Sequence, residues 1–443
     1  MVGTKEDAPM ELHFINAALP LKSPTKRYEL KASKGVWTYI GEQAEAAAEP
    51  APKRTVKLTE ADFTGGAEPV VIDLEGRMLL PGFADMHMHL DKAHSIAKVG
   101  NRSGTLLEAI QNYGGMAPQF TKAEIKERIK TTALAALSHG TTYIRTHLDF
   151  HLAYGKEIAF RTMEAALEAR EELKGKVQVQ LFPMLPRGQM GDQELAAAAE
   201  LMKLGMDGLG GAPHLGETPE RQIAQVFELA GRYGKPIDLH ADESDDPARR
   251  TVVTMAKLTA EYGFGGKVTA GHLCSLAAMP PGEAAEIIGM MAEAGVGAVT
   301  LPAANMYLQG RDDTGPFRRG VTRVKELLAA GVPVAAASDN IQDPFHPFGR
   351  GDLVQIGLLT AYAAHMGAAD DMHTLLRMIT EIPAALMGLA QYGTEEGAKA
   401  NFVIVDAQHA AQLFIQESPS RWVAVHGRWV SVSALHRWNA PEA

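Results

Sequence analysis

The pair His87 and His89 sits at the end of an apolar run, Leu79-Leu80-Pro81-Gly82-Phe83-Ala84. If that run is a strand, residues two apart share a face and both imidazoles point the same way. Neutral imidazole is a common ligand for zinc and iron, so the pair makes a compact two-toothed claw. A bare His-x-His also occurs as two neighbouring surface or core histidines, and the chemistry depends on what joins it. Three stretches can supply the rest: His240-Ala241-Asp242-Glu243, His272, and Ser338-Asp339-Asn340. His87, His89, His240 and Asp339 together form a four-donor set for one divalent cation, zinc or iron, with a position left for water. Such water loses a proton far more readily than bulk water does. Asp339 could accept that proton, Glu243 could carry one to the leaving side of a substrate, and His272 could hydrogen-bond the nucleophile or the developing charge. The plainer alternatives are that Asp339 caps the next helix and that Glu243 only orients His240.

These residues are far apart in the chain, so the fold must gather them. Between residues 81 and 399, eight short apolar segments alternate with helical stretches: 83–89, 142–148, 177–182, 208–212, 237–240, 268–272, 298–301 and 332–336. That alternation predicts an α/β fold, a (β/α)8 TIM barrel whose active groups lie at the C-terminal ends of its strands. The candidate residues fall at the ends of strands one, five, six and eight. Strand four ends in Ala212-Pro213-His214 and offers no lysine or carboxylate to bridge a second metal, which favours a mononuclear site. His214 either lines the mouth or is structural. Thr121 to Glu124 is a capping-box pattern, Thr218-Pro219 a helix start, and Gly175, Gly205, Gly295 and Gly331 follow helix ends.

Residues 1–80 and 400–443 have another character: short β-forming runs, with His426-Gly427 suited to a tight hairpin turn. Neither end buries a sheet face alone, so they are read as two halves of a small β-sandwich domain built from both chain termini. Residues 44–52 read as a loop or insertion. Residues 92–121 read either as a lid over the pocket or as a surface loop. Gly208-Leu209-Gly210-Gly211-Ala212-Pro213 lacks the spacing of a phosphate loop and reads as a crowded strand end.

With 443 residues, 46% hydrophobic and 22% charged, the chain can bury a large core. A net charge of −10 without a Lys/Arg run speaks against nucleic-acid and anionic-membrane partners. The single cysteine, Cys274, excludes an intrachain disulfide framework and a cysteine-rich zinc site. The start Met1-Val2-Gly3-Thr4-Lys5 lacks the pattern of a signal peptide, and no apolar stretch reaches the roughly 18–20 residues needed to span a bilayer. A cytoplasmic setting is expected, with a homo-oligomer as the assembly.

Pro81-Gly82-Phe83-Ala84-Asp85-Met86-His87-Met88-His89-Leu90-Asp91, taken with His240, Glu243, His272 and Asp339, resembles the amidohydrolase superfamily. Arg145-Thr146-His147-Leu148-Asp149, the run His240 to Asp246, Leu308 to Thr314 and Arg318 to Leu327 resemble its bacterial cytosine deaminase branch, over residues 75 to 405 or so. The resemblance implies a mononuclear zinc or iron hydrolase in which His87, His89, His240 and Asp339 are ligands, Glu243 shuttles protons and His272 assists the nucleophile. It also locates departures at the substrate. After Phe182-Pro183, where cytosine deaminases carry a glutamine that reads the pyrimidine amide edge, this chain has Met184. A thioether cannot match an amide's paired donor and acceptor, and leaving a buried amide unmatched costs about 1–3 kcal/mol. Asn340 replaces an aspartate and Phe345 a tryptophan, and the run Ala337 to Asp343, followed by Pro347 to Asp352, is more similar to the isopropylammelide-hydrolysing relatives. Met184, Phe182, Asn340 and Phe345 are therefore the candidate substrate contacts, with ordinary packing as the alternative.

The expected activity is hydrolysis of a C–N bond of a small nitrogen heterocycle, in the manner of a cytosine deaminase, with release of ammonia. One alternative is release of an alkylamine from an N-substituted triazine or pyrimidine, or opening of a cyclic amide. Another, from a different class, is a catalytically inactive barrel that binds a heterocycle or metal.

Overall fold

Eight parallel strands follow one another in chain order around the centre of the molecule: Phe83–Met88, Thr141–Asp149, Gln178–Met184, Leu209–Gly211, Ile237–Ala241, Val268–His272, Gly297–Thr300 and Val334–Ala336. A bridge between Met88 and Asp339 brings the last strand back to the first. This is the (β/α)8 barrel expected from the alternation, and every predicted strand overlaps an observed one. The computed structural model describes residues 11–43, 55–59, 70–416 and 419–436, so the readings made on residues 1–10 and 44–52 lie outside the described residues.

The strands are buried on both faces, which is why they read as apolar runs and not as alternating ones. The helix Pro219–Tyr233 shows how the outer ring is built. Ile223, Val226, Phe227 and Ala230 bury one stripe at helical spacing, and burial of a side chain like Phe227 is worth roughly 1.5–3 kcal/mol. Pro219 opens the helix and Gly234 ends it in a left-handed conformation (φ 64°), which suits glycine. The capping box at Thr121 and Glu124 forms as the sequence suggests.

Both chain ends meet in a second, mixed sheet of nine strands around a core of its own. Leu12–Ala18 is its branch point, pairing with Arg27–Ser33, Val71–Asp73 and Met78–Pro81. Met78–Pro81 pairs in turn with Phe402–Val405, joining the two termini. Phe14 and Phe402 pack edge to face with centroids 5.5 Å apart, and Trp37 lies 5.2 Å from Phe402. The turn at His426-Gly427 has φ of 50° and 69°, as a two-residue hairpin requires.

A buried ion pair ties this sheet to the barrel. Arg421 donates through both terminal nitrogens to Asp352, at 2.9 Å each, and also to the carbonyl of His139. Asp352 caps the helix Leu353–Ala363. Among the described residues, no helix is long and apolar enough to cross a membrane.

Candidate metal centre and active site

Four side chains converge where the barrel strands end. His87 Nε2 and His89 Nε2 lie 3.2 and 3.1 Å from His240 Nε2. Asp339 Oδ1 lies 3.4 Å from His89 Nε2 and 3.8 Å from His87 Nε2. A tetrahedral ion with bonds of about 2.0–2.2 Å separates its ligands by about 3.3–3.6 Å, so the spacing fits a cation between them. The chemistry of the donors agrees. Burial, reinforced by neighbouring imidazoles, drives His240 far below the usual histidine range, and burial does the same to His87, so both present neutral rings. Neither carboxylate oxygen of the buried Asp339 has a hydrogen-bond partner. An uncompensated buried carboxylate facing imidazole lone pairs is costly, and a bound metal removes the cost.

The supporting contacts orient the donors. His89 Nδ1 donates to the carbonyl of His147 at 3.1 Å, which leaves Nε2 as its free lone pair. His214 does not line the mouth; its Nδ1 donates to the carbonyl of His240 at 3.0 Å and braces that strand end. Asp339 and His272 have φ of 62° and 69°, a left-handed conformation that costs non-glycine residues on the order of 1–3 kcal/mol. Both side chains line the cavity.

Glu243 and His272 flank the centre. Glu243 Oε1 is 3.6 Å from His272 Nδ1. Burial, with the charge of Asp339 adding to it, raises the Glu243 carboxyl well above its ordinary range and so favours its protonated form. Burial lowers His272 to about 4, so it is neutral. Asn305 Nδ2 donates to His272 Nδ1 at 3.0 Å, which leaves Nε2 carrying the ring proton. Glu243 and His272 thus stand side by side next to the His/Asp cluster.

A cavity of about 510 Å3 opens above this centre. Met184, Asn340 and Phe345 line it, as do Glu243, His272 and Asp339. Phe182 does not. It lies one layer deeper in the barrel, fully buried, with the Arg145 guanidinium 4.3 Å from its ring and His147 6.1 Å away. Strand alternation turns Phe182 and Met184 to the same side, but only the later residue reaches the mouth.

Several wall residues escaped the sequence reading. Lys92 donates to Asp149 at 2.9 Å and stands over the Phe345 ring at 4.5 Å. Burial opposes its charge, yet Asp149, Asp91 and Asp343 hold its pKa above the ordinary value. Asn340 donates to Asp343. The segment after the first strand, read as a lid or a surface loop, contains the helix Leu106–Met116, which forms a wall of the cavity through Leu106, Ile110 and Gln111. The Lys92–Asp149 pair could be suspected from the runs His89 to Lys92 and Arg145 to Asp149; nothing local marks the helix as a wall.

A second group lies beneath the centre. His87, His147 and Asp238 can bring one donor atom each within 4.8 Å; neither ring nitrogen of His147 makes a hydrogen bond, and its Nε2 lies 3.7 Å from Asp238. Arg145, 2.7 Å from Asp238, already supplies the positive charge there and opposes a second cation.

An amidohydrolase family model matches the chain over residues 70–119 and 97–430. The chain is 35% identical to a pterin deaminase of Rhizobium rhizogenes, covering 84% of each protein. It is 30% identical to an N-isopropylammelide isopropyl amidohydrolase of a Pseudomonas, over 85% of this chain and 91% of the relative. Among solved structures, 5-methylcytosine deaminase from Klebsiella pneumoniae liganded with 5-fluorocytosine superposes with a TM-score of 0.87 at 28% identity, covering 97% of this chain and all of that one.

Proposed function

Because the chain belongs to the amidohydrolase family, we propose that it is a metal-dependent aminohydrolase releasing ammonia from an aminated nitrogen heterocycle. The observation that carries this reading is the convergence of His87, His89, His240 and Asp339 beside Glu243 and His272. Those four ligands hold one divalent cation, zinc or iron. When bound, the cation supplies Lewis acidity that brings the pKa of water from about 15.7 towards neutrality. Asp339 would take a proton from the attacking water. Glu243 would give its proton to the ring nitrogen beside the attacked carbon, then pass the proton of the added hydroxyl to the departing amine, and the proton held by Asp339 would restore Glu243. His272 Nε2–H stabilises the oxygen added to the ring.

The cavity is larger than one six-membered ring needs, within the roughly 300–1,000 Å3 usual for ligand pockets. Similarity to a pterin deaminase makes an aminopteridine the first substrate class, ahead of cytosine. Lys92, Asp149 and Asn340 then make the polar contacts that Met184 cannot. Release of an alkylamine is the second reading, favoured by the apolar wall of Leu106, Ile110, Leu152 and Met184 and by the isopropylammelide relative. The enzyme is taken as cytoplasmic and homo-oligomeric, acting on a small molecule.

The test is turnover by metal-replete protein over aminated pteridines, pyrimidines, purines and triazines, with separate readouts for ammonia, alkylamine and ring opening. Ammonia from an aminopteridine is expected. Alkylamine or ring-opened product alone replaces this reading with its neighbours, and tight binding without turnover points to an inactive binding barrel.

A further inference from the structure

The cavity does not end at the metal centre. It runs outward to a rim formed by the helix Leu106–Met116, the turn Leu152–Tyr154 and the loop after Met184. Two features of that rim are unused by the chemistry above. Tyr154 lines the opening, is 46% exposed, and meets His151 in a T-shaped pair with ring centroids 6.2 Å apart. Arg187 is exposed on the same wall and takes part in no hydrogen bond or ion pair among the described residues. The other cation on the wall, Lys92, is held by Asp149. The nearby Glu194 is engaged in capping, accepting from the backbone N–H of Gly191 at 2.9 Å. The rim therefore offers an exposed aromatic ring and one guanidinium fork without an ion-pair partner, a combination suited to a planar group ending in a carboxylate.

We propose that the substrate carries a carboxylate-bearing substituent beyond its amino-substituted ring, with the substituent lying along Tyr154 and the carboxylate on Arg187. This inference rests on the aminohydrolase reading and adds the chemical class of the substrate's far end. Arg187 here determines specificity and takes no part in bond making.

The test uses a matched pair of aminopteridines, one with a carboxylate and one with the carboxamide at the same ring position, together with their oxo products. Wild-type metal-replete protein is expected to favour the carboxylate by about tenfold or more in kcat/KM, chiefly through KM. In Arg187→Ala that ratio collapses towards one, and in Arg187→Glu it inverts. High salt shrinks the wild-type preference, because the exposed pair is screened. Calorimetric binding of the two products gives the same comparison without turnover. A ratio near one in wild type, or a ratio that Arg187→Ala leaves in place, overturns the inference, whereas ammonia release from both compounds keeps the aminohydrolase reading intact. If neither compound is turned over, that reading fails, and product binding still decides whether Arg187 selects the carboxylate.

Discussion

The backbone N–H of Asp339 donates to the carbonyl of His87 at 2.8 Å. Two proposed ligands of the metal, one from the first barrel strand and one just past the last, are thus fixed to each other by main chain. The hydrogen bond that closes the barrel also sets the metal site, so ligand geometry is a property of the whole ring of strands. That arrangement preorganises the donors before any cation binds.

Glu243 should carry the proton traffic. Glu243→Gln is expected to keep its metal, measured by elemental analysis, and to lose about 10²–10⁴-fold in kcat. Burial raises the Glu243 pKa, so the proton is present below that raised value and departs as pH rises through it. Wild-type kcat should therefore fall on the alkaline side. The variant, whose amide does not titrate, should lack that limb; full activity in Glu243→Gln removes the residue from the mechanism.

Gly271 pairs with His240 in the barrel sheet, and a Cβ there would meet the His87 ring at 3.1 Å from Cε1 and 3.3 Å from Nδ1. The strand cannot yield without disturbing its ladder, so the imidazole must move. Gly271→Ala is expected to weaken metal binding about 10–100-fold in a chelator competition, the scale seen when a ligand's support is lost. Unchanged affinity would show that His87 tolerates displacement and is not held as described.

Removing the Arg421 side chain leaves Asp352 buried and unpaired. Arg421→Met should cost about 3–5 kcal/mol in urea unfolding, and adding Asp352→Leu should recover much of it. Burial opposes ionisation of Asp352, but Arg421 outweighs it and holds the folded pKa below its ordinary value. The pair's contribution is therefore full above the unfolded pKa near 3.9 and is lost as pH falls through the folded value. A variant as stable as wild type at pH 7 would mean that the two sheets are held elsewhere.

The barrel and the clustering of its strand-end residues were legible because strand ends carry both a period and a chemistry: His87, His89, His240, His272 and Asp339 all close apolar runs. Depth along a strand was not legible. Phe182 and Met184 share a face in sequence, yet only Met184 reaches the cavity, because the layer an inward residue occupies depends on neighbouring strands. Long-range pairs such as Lys92 with Asp149 and Arg421 with Asp352 leave no periodic trace. The left-handed backbone at His272 and Asp339 was hidden too, since propensity argues against it and the surrounding fold imposes it. The two chain ends were readable as β structure, but the branch at Leu12–Ala18 is set by tertiary pairing.

The most direct test is anomalous diffraction from crystals of metal-replete protein, recorded at the zinc and iron edges. The account predicts one strong peak within about 2.0–2.2 Å of His87 Nε2, His89 Nε2, His240 Nε2 and an Asp339 carboxylate oxygen. A peak at His147 and Asp238 instead, or none at the four-residue site in protein that turns substrate over, would contradict it.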